Sequence, residues 1–146
     1  MSLSAIETRI AAAKQAVLAQ SDFLQANFGR ARSEIKHDGT KVTAIDIAIS
    51  ERIQAAIATQ FPEDQFFSEE LAPTTGTVPV TSRFCWVLDP IDGTNNYING
   101  IVYCAISLAL LENGQPAYGV VYDLARRVLI HGGPGRGVWE GDKAVR

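Results

Sequence analysis

Asp89-Pro90-Ile91-Asp92-Gly93-Thr94 stands directly after the apolar run Phe84-Cys85-Trp86-Val87-Leu88. The run is rich in β-formers and has the length of a buried strand. The spacing therefore predicts a strand that ends in two carboxylates three residues apart, followed by a Gly-containing turn. Loops of this kind, held by a rigid strand end, are where binding and catalytic groups concentrate. Two acids, the Ile91 carbonyl and amides exposed beside a glycine suit hard cations and phosphate oxygens. Asp-Pro and Asp-Gly are also ordinary turn dipeptides, so the pair taken alone reads first as turn chemistry.

The whole hexapeptide is more specific than its acids. At residue frequencies of about 5–7%, a given six-residue string is expected in a chain this long about once in 10⁵ trials or fewer. It resembles the signature of the inositol monophosphatase family, in the wider group of magnesium-dependent, lithium-sensitive phosphatases.

The remaining sequence sets the frame. The chain has 146 residues, 47% apolar and 20% charged, with a net charge of −3. That length predicts one domain, burying roughly 68–70% of its unfolded surface without staples. The charge and the lack of a Lys/Arg-rich patch argue against a nucleic-acid polymer as partner. No apolar run reaches membrane-spanning length, and the first residues lack the parts of a signal peptide. Cys85 and Cys104 lie in apolar runs, as expected of buried thiols in a reducing cytoplasm. His37 and His131 have no cysteine partners nearby, which excludes an obvious zinc site.

Along the chain, residues 3–28 read as one helix with a stripe of Leu3, Ile6, Ile10, Val17, Leu18 and Leu24, stopped at Phe28-Gly29. Residues 30–42 read as a solvated connector turning at Asp38-Gly39. A second helix begins at Thr43 and ends at Phe61-Pro62. Gln65-Phe66-Phe67-Ser68 is a short strand ending at Glu69-Glu70. Residues 71–82, with two prolines and a glycine, read as a loop long enough to move or to act as a lid. Asn95–Gly100 suggests one helical turn. Residues 102–111, 117–122, 126–131 and 137–140 then form an antiparallel meander, with a hairpin at Asn113-Gly114. Gly132-Gly133-Pro134-Gly135-Arg136-Gly137 lacks the Lys-Ser/Thr of a phosphate loop and reads as a hairpin turn. The fold class is α+β: two amino-terminal helices packed on an antiparallel sheet.

Asp46 carries two readings. Thr43-x-x-Asp46 approximates a capping box, and an acid in the first turn complements the helix dipole. The family resemblance implies instead that Asp46 pairs with Thr94 and helps orient an attacking water. Both roles coexist only if different carboxylate oxygens serve them.

The resemblance covers roughly residues 36–141 and implies a site. Glu69, Asp89 and the Ile91 carbonyl would hold one Mg²⁺; Asp89 and Asp92 would hold a second, with Asp89 bridging. Gly93 and Thr94 amides would grip the phosphate, while Glu69, Thr94 and Asp46 would orient the water. Lys36 would lie on a loop that covers the metals. Ser68 stands where the family more often has glycine, which matters only if a positive φ is needed there. The expected reaction is hydrolysis of a small phosphate monoester, inositol monophosphate leading, without a phosphoenzyme. Related sugar or nucleotide phosphatase activities fit the same motif. Family members are nearly twice as long, and their Trp-Asp motif has no match here. The expectation is thus an amino-terminal half, residues 1–146, whose protein partner is a second copy or the carboxy-terminal half. A catalytically incomplete half-domain that binds metal or a partner protein is the competing expectation.

Overall fold

The computed structural model describes residues 3–35, 41–71 and 79–145, with Lys41 and Val42 described by backbone alone. Lys36, Asp38 and most of the 71–82 loop lie outside the described residues.

The amino-terminal segment is two helices, not one: α1 (Ala5–Leu18) and α2 (Ser21–Ala26). Ser4 and Glu7 close a capping box at the start of α1. The break falls at Ala19-Gln20, where the Ser21 hydroxyl donates to the Leu18 carbonyl at 2.8 Å. A serine hydroxyl competing with the backbone ladder ends a helix in this way. Val17 and Leu24 are both fully buried, seven residues apart and in phase, so the apolar period ran straight through the break.

Residues 33–43 also depart from expectation. Strand β1 (Ser33–Ile35) pairs antiparallel with β2 (Lys41–Thr43), Ser33 opposite Thr43. The β1 residues are all exposed, so nothing in their hydrophobic pattern signals a strand. Helix α3 (Ala44–Gln60) follows directly, as the sequence predicts.

Seven strands form the main sheet in chain order: β3 (Gln65–Ser68), β4 (Phe84–Asp92), β5 (Ala105–Glu112), β6 (Gln115–Asp123), β7 (Val128–Gly133), β8 (Gly137–Glu140) and β9 (Lys143–Ala144). From β4 onward it is the expected meander. Asn113 (φ 50°) and Gly114 (φ 77°) make the β5–β6 turn left-handed at both central positions, the geometry that matches strand twist. The first pair differs: β3 runs parallel to β4, so the sheet is mixed. Helix α4 (Thr94–Ile98) separates β4 from β5.

Helices α1 and α3 cover one face of the sheet. The core between them is Ile10, Ala13, Val17, Ile49, Ile53 and Ile57 against Trp86, Leu88, Ile106, Leu108, Leu110 and Val120. The alternation in β5, Ile106, Leu108 and Leu110 inward, is the half-buried strand pattern. Both cysteines are buried free thiols. His131 is a core residue, bonded to Tyr118 and to the Gly141 carbonyl. No described helix is long and apolar enough to cross a membrane.

Candidate metal and phosphate site

Three elements bring the acids together. Parallel pairing sets Ser68 opposite Leu88, so Glu69, just past the end of β3, comes level with Asp89, where β4 runs on alone beside β5. Crevices at such ends are the usual ligand sites of parallel strands. Ser68 Oγ lies 2.7 Å from Ser50 Oγ in the core, tying this strand end to α3. Ser68 is not among the residues with positive φ, so serine is accommodated without strain in place of the family's commoner glycine.

The signature itself bends. Asp89 pairs with Ser107, but Asp92 pairs with Ala105. Three steps on β4 answer two on β5, a β-bulge. Pro90 has no N–H to give the ladder, which is why the extra residue sits here. The Ile91 carbonyl accepts from Thr94 Oγ1 at 3.0 Å.

Asp46 resolves its two readings by dividing its carboxylate. Oδ2 accepts from Thr43 N at 2.8 Å and from Thr43 Oγ1 at 2.5 Å, completing the cap. Oδ1 accepts from Thr94 Oγ1 at 3.1 Å. The residue is fully buried, so both oxygens are committed. Thr94 Oγ1 has one proton and two acceptors in reach, Asp46 Oδ1 and the Ile91 carbonyl. A carboxylate is the stronger acceptor.

Tyr97, which sequence reasoning passed over, fixes the loop that carries Thr94. Its hydroxyl donates to the Leu24 carbonyl at 2.6 Å, and its carbonyl accepts from Gly29 N at 3.0 Å. Phe28 packs edge-on against its ring. A buried tyrosine needs such a partner for its hydroxyl; its place on the inner side of a one-turn helix was the available signal.

Gly93 turns the chain from β4 into α4 with φ 87° and ψ 43°. A Cβ there would lie 2.7 Å from the Tyr103 carbonyl oxygen. Gly93→Ala is therefore expected to cost more than the roughly 1–2 kcal/mol of a left-handed alanine. Gly93→Asn, which tolerates that conformation, should be no better, because the clash with backbone persists. Thermal unfolding of both variants checks this; an asparagine variant as stable as the parent would show that conformation alone matters.

Electrostatics single out Asp89. Burial pushes its carboxyl up to about 6, with Glu69, Asp92, Asp46 and Glu70 adding in that order. Every contribution raises it and none comes from a cation. Among the described residues, no three acid, imidazole or thiol side chains converge tightly enough to cage an ion by themselves. The donors are all oxygens, negatively charged and crowded. That chemistry fits a hard divalent cation completed by water better than zinc.

A model of the inositol monophosphatase family matches residues 5–144. This chain belongs to the inositol monophosphatase family. An Aquifex aeolicus protein named fructose-1,6-bisphosphatase/inositol-1-monophosphatase is 35% identical over 137 residues, covering 92% of this chain and 50% of its own length. A solved inositol monophosphatase from Thermotoga maritima superposes with a TM-score of 0.84 at 28% identity, over 95% of this chain and 53% of that one. A structure titled IMPase/NADP phosphatase, complexed with NADP and Ca²⁺, gives 0.84 at 25% identity, over 99% of this chain and 55% of that one. The chain thus spans about half the length of these family members.

Proposed function

We propose that this chain is the amino-terminal α+β half of a Mg²⁺-dependent phosphomonoesterase, with inositol monophosphate the leading substrate. The observation that carries the reading is the Asp46–Thr94–Ile91 arrangement beside the crowded carboxylates of Glu69, Asp89 and Asp92. Mg²⁺, when bound, would lower the pKa of a water and neutralise charge on the phosphoryl oxygens. Glu69, Asp89, Asp92 and the Ile91 carbonyl would hold it, Asp89 in the bridging place between two ions.

The protein's own residues do the positioning. Asp46 Oδ1 draws the Thr94 proton, which leaves the Ile91 carbonyl to a cation and a lone pair on Thr94 Oγ1 to a water. Glu69, on the neighbouring strand end, accepts the other proton of that water. The first N–H groups of α4 have no helical acceptor, and with Gly93 they face phosphate oxygens. The relatives' names cover inositol, fructose bisphosphate and NADP, which supports the phosphate-monoester class as a whole, and the Ca²⁺ complex supports a hard cation. Lithium inhibition and a homodimer belong to the same proposal.

A Mg²⁺-dependent phosphate-release assay on inositol 1-phosphate tests the reading, with Asp89→Asn as control. If no phosphomonoester is hydrolysed and Asp89→Asn leaves metal binding unchanged, the reading fails. One observation favours a second reading, a half-domain that binds a partner protein: Ile101, Val102 and Tyr103 form a consecutive exposed apolar run, Tyr103 at 78% exposure.

Asp46→Asn separates cap from catalysis. An asparagine with its oxygen toward Thr43 keeps the cap but turns an N–H₂ toward Thr94 Oγ1, forcing that proton onto the Ile91 carbonyl. Stability is expected to fall by less than the about 0.5–2 kcal/mol of a lost cap, while phosphate release falls at least tenfold. Full activity with a large loss of stability would reduce Asp46 to a cap.

A further inference from the structure

A second cavity, of about 500 Å³, lies between α1 and the β6–β8 strands and shares no residue with the acidic site. Its volume is in the range of small-molecule sites. At its base, His131 Nε2 lies 2.8 Å from the Gly141 carbonyl, an acceptor only, so Nε2 carries the proton. Nδ1 then accepts from the Tyr118 hydroxyl at 2.5 Å. Both ring nitrogens of His131 are thus partnered within the protein and leave the ligand-facing polarity to other residues.

Trp139 forms one wall. It is the cross-strand partner of His131, so its ring is directed to the same face. Its indole N–H donates to the Arg136 carbonyl at 2.9 Å, which holds the ring in one orientation. Ile10 of α1 supplies the opposing apolar wall. Lys14 and the Arg136 side chain supply two cations. Arg136 stands close enough to Tyr118 to oppose the upward push of burial on its phenol. Asp142 is the single acid of the lining, and among the described residues none of these three charged groups is in an ion pair.

From this combination we infer that the cavity binds a small aromatic carboxylate, its ring against Trp139 and its carboxylate between Lys14 and Arg136. Two cations and one acid leave a net single positive charge, which matches a carboxylate better than a phosphate monoester of about −1.5 to −2. A guanidinium fork takes a carboxylate with two parallel hydrogen bonds, and the fixed indole gives the ring a preformed plane.

Benzoate is the probe, followed by saturation-transfer NMR on the full chain. Transfer from protein to benzoate is expected, with binding at least tenfold weaker for benzyl alcohol, which keeps the ring without the charge. Arg136→Ala and Lys14→Ala should each weaken benzoate at least tenfold, and Trp139→Ala should remove the transfer. Asp89→Asn should leave it unchanged, separating this cavity from the acidic site. Arg136 is exposed and Lys14 half-exposed, and neither is in an ion pair among the described residues, so their variants should melt with the parent chain. Equal binding of benzyl alcohol, unaltered binding in Arg136→Ala, or displacement of benzoate by an equal concentration of inorganic phosphate would overturn the inference.

Discussion

Asp89→Asn is expected to stabilise the metal-free protein while removing its response to Mg²⁺. A carboxyl held near 6 in the folded chain, against about 3.9 when unfolded, binds its proton more tightly when folded. Its favourable contribution is complete below the unfolded value and is lost as pH rises through about 6. By about pH 7.5 the ionised group opposes folding, by less than the full shift would imply because solvent screens a half-exposed carboxylate. Asparagine keeps the size and removes the charge. In EDTA the variant should therefore melt higher than the parent at about pH 7.5, and the gap should close towards pH 4. Excess Mg²⁺ should raise the melting temperature of the parent, since a ligand of the folded state stabilises it, and leave the variant unmoved. Asp92→Asn should lose less of the Mg²⁺ response, because Asp89 is assigned the bridging place. Equal losses would remove the bridging assignment, and a variant less stable than its parent in EDTA would show that burial and the neighbouring acids do not hold the Asp89 carboxyl up.

The second large effect lies away from the acids. Asp64→Ala should cost about 3–5 kcal/mol, the range for breaking a buried ion pair from one side. Asp64 Oδ1 and Oδ2 each accept from Arg9 at 2.8 Å, and Oδ2 also accepts from Trp86 Nε1 at 2.9 Å. The aspartate side chain is 4% exposed and the arginine 13%. The guanidinium is sandwiched by Phe61 and Phe84, at 4.3 and 3.8 Å from their centroids. Removing Asp64 strands a buried cation and a buried indole N–H between α1 and the sheet. Against a total stability of about 5–15 kcal/mol, the loss should lower the melting temperature by about 10 °C or more. Replacing the pair with Arg9→Met/Asp64→Leu should recover part of it, since the cation is then gone too. A melting temperature within about 2 °C of the parent in Asp64→Ala would show that water reaches the guanidinium and that the network does not hold α1.

What was legible in the chain divides along one line. Features fixed by near neighbours were readable: the cap at Thr43, the Asn113-Gly114 hairpin, the strand before Asp89 and the Gly-containing turn at Gly93; that β4 runs on through Asp92 over a bulge at Pro90 was not. The break between α1 and α2 was not, because a side-chain hydroxyl at Ser21 ended a helix whose apolar period continued in phase. Nor was the pairing of β1 with β2, because the β1 residues are all exposed and carry no hydrophobic period. Asp64 follows Pro62-Glu63 in a polar segment with no local signal of a partner; only packing against α1 shows it as the anchor of Arg9 and Trp86.

The candidate site divides the same way. The sequence by itself determined the donor types and their local order, from Asp89 to Thr94, because a bulge and a left-handed glycine are short-range constraints. Tertiary structure decided that Glu69 stands beside Asp89, since that follows from parallel pairing of β3 with β4 across residues distant in the chain. It also decided how Asp46 serves two threonines at once. A carboxylate has two oxygens, and only the packing of α3 against the end of β4 could turn one of them toward Thr43 and the other toward Thr94.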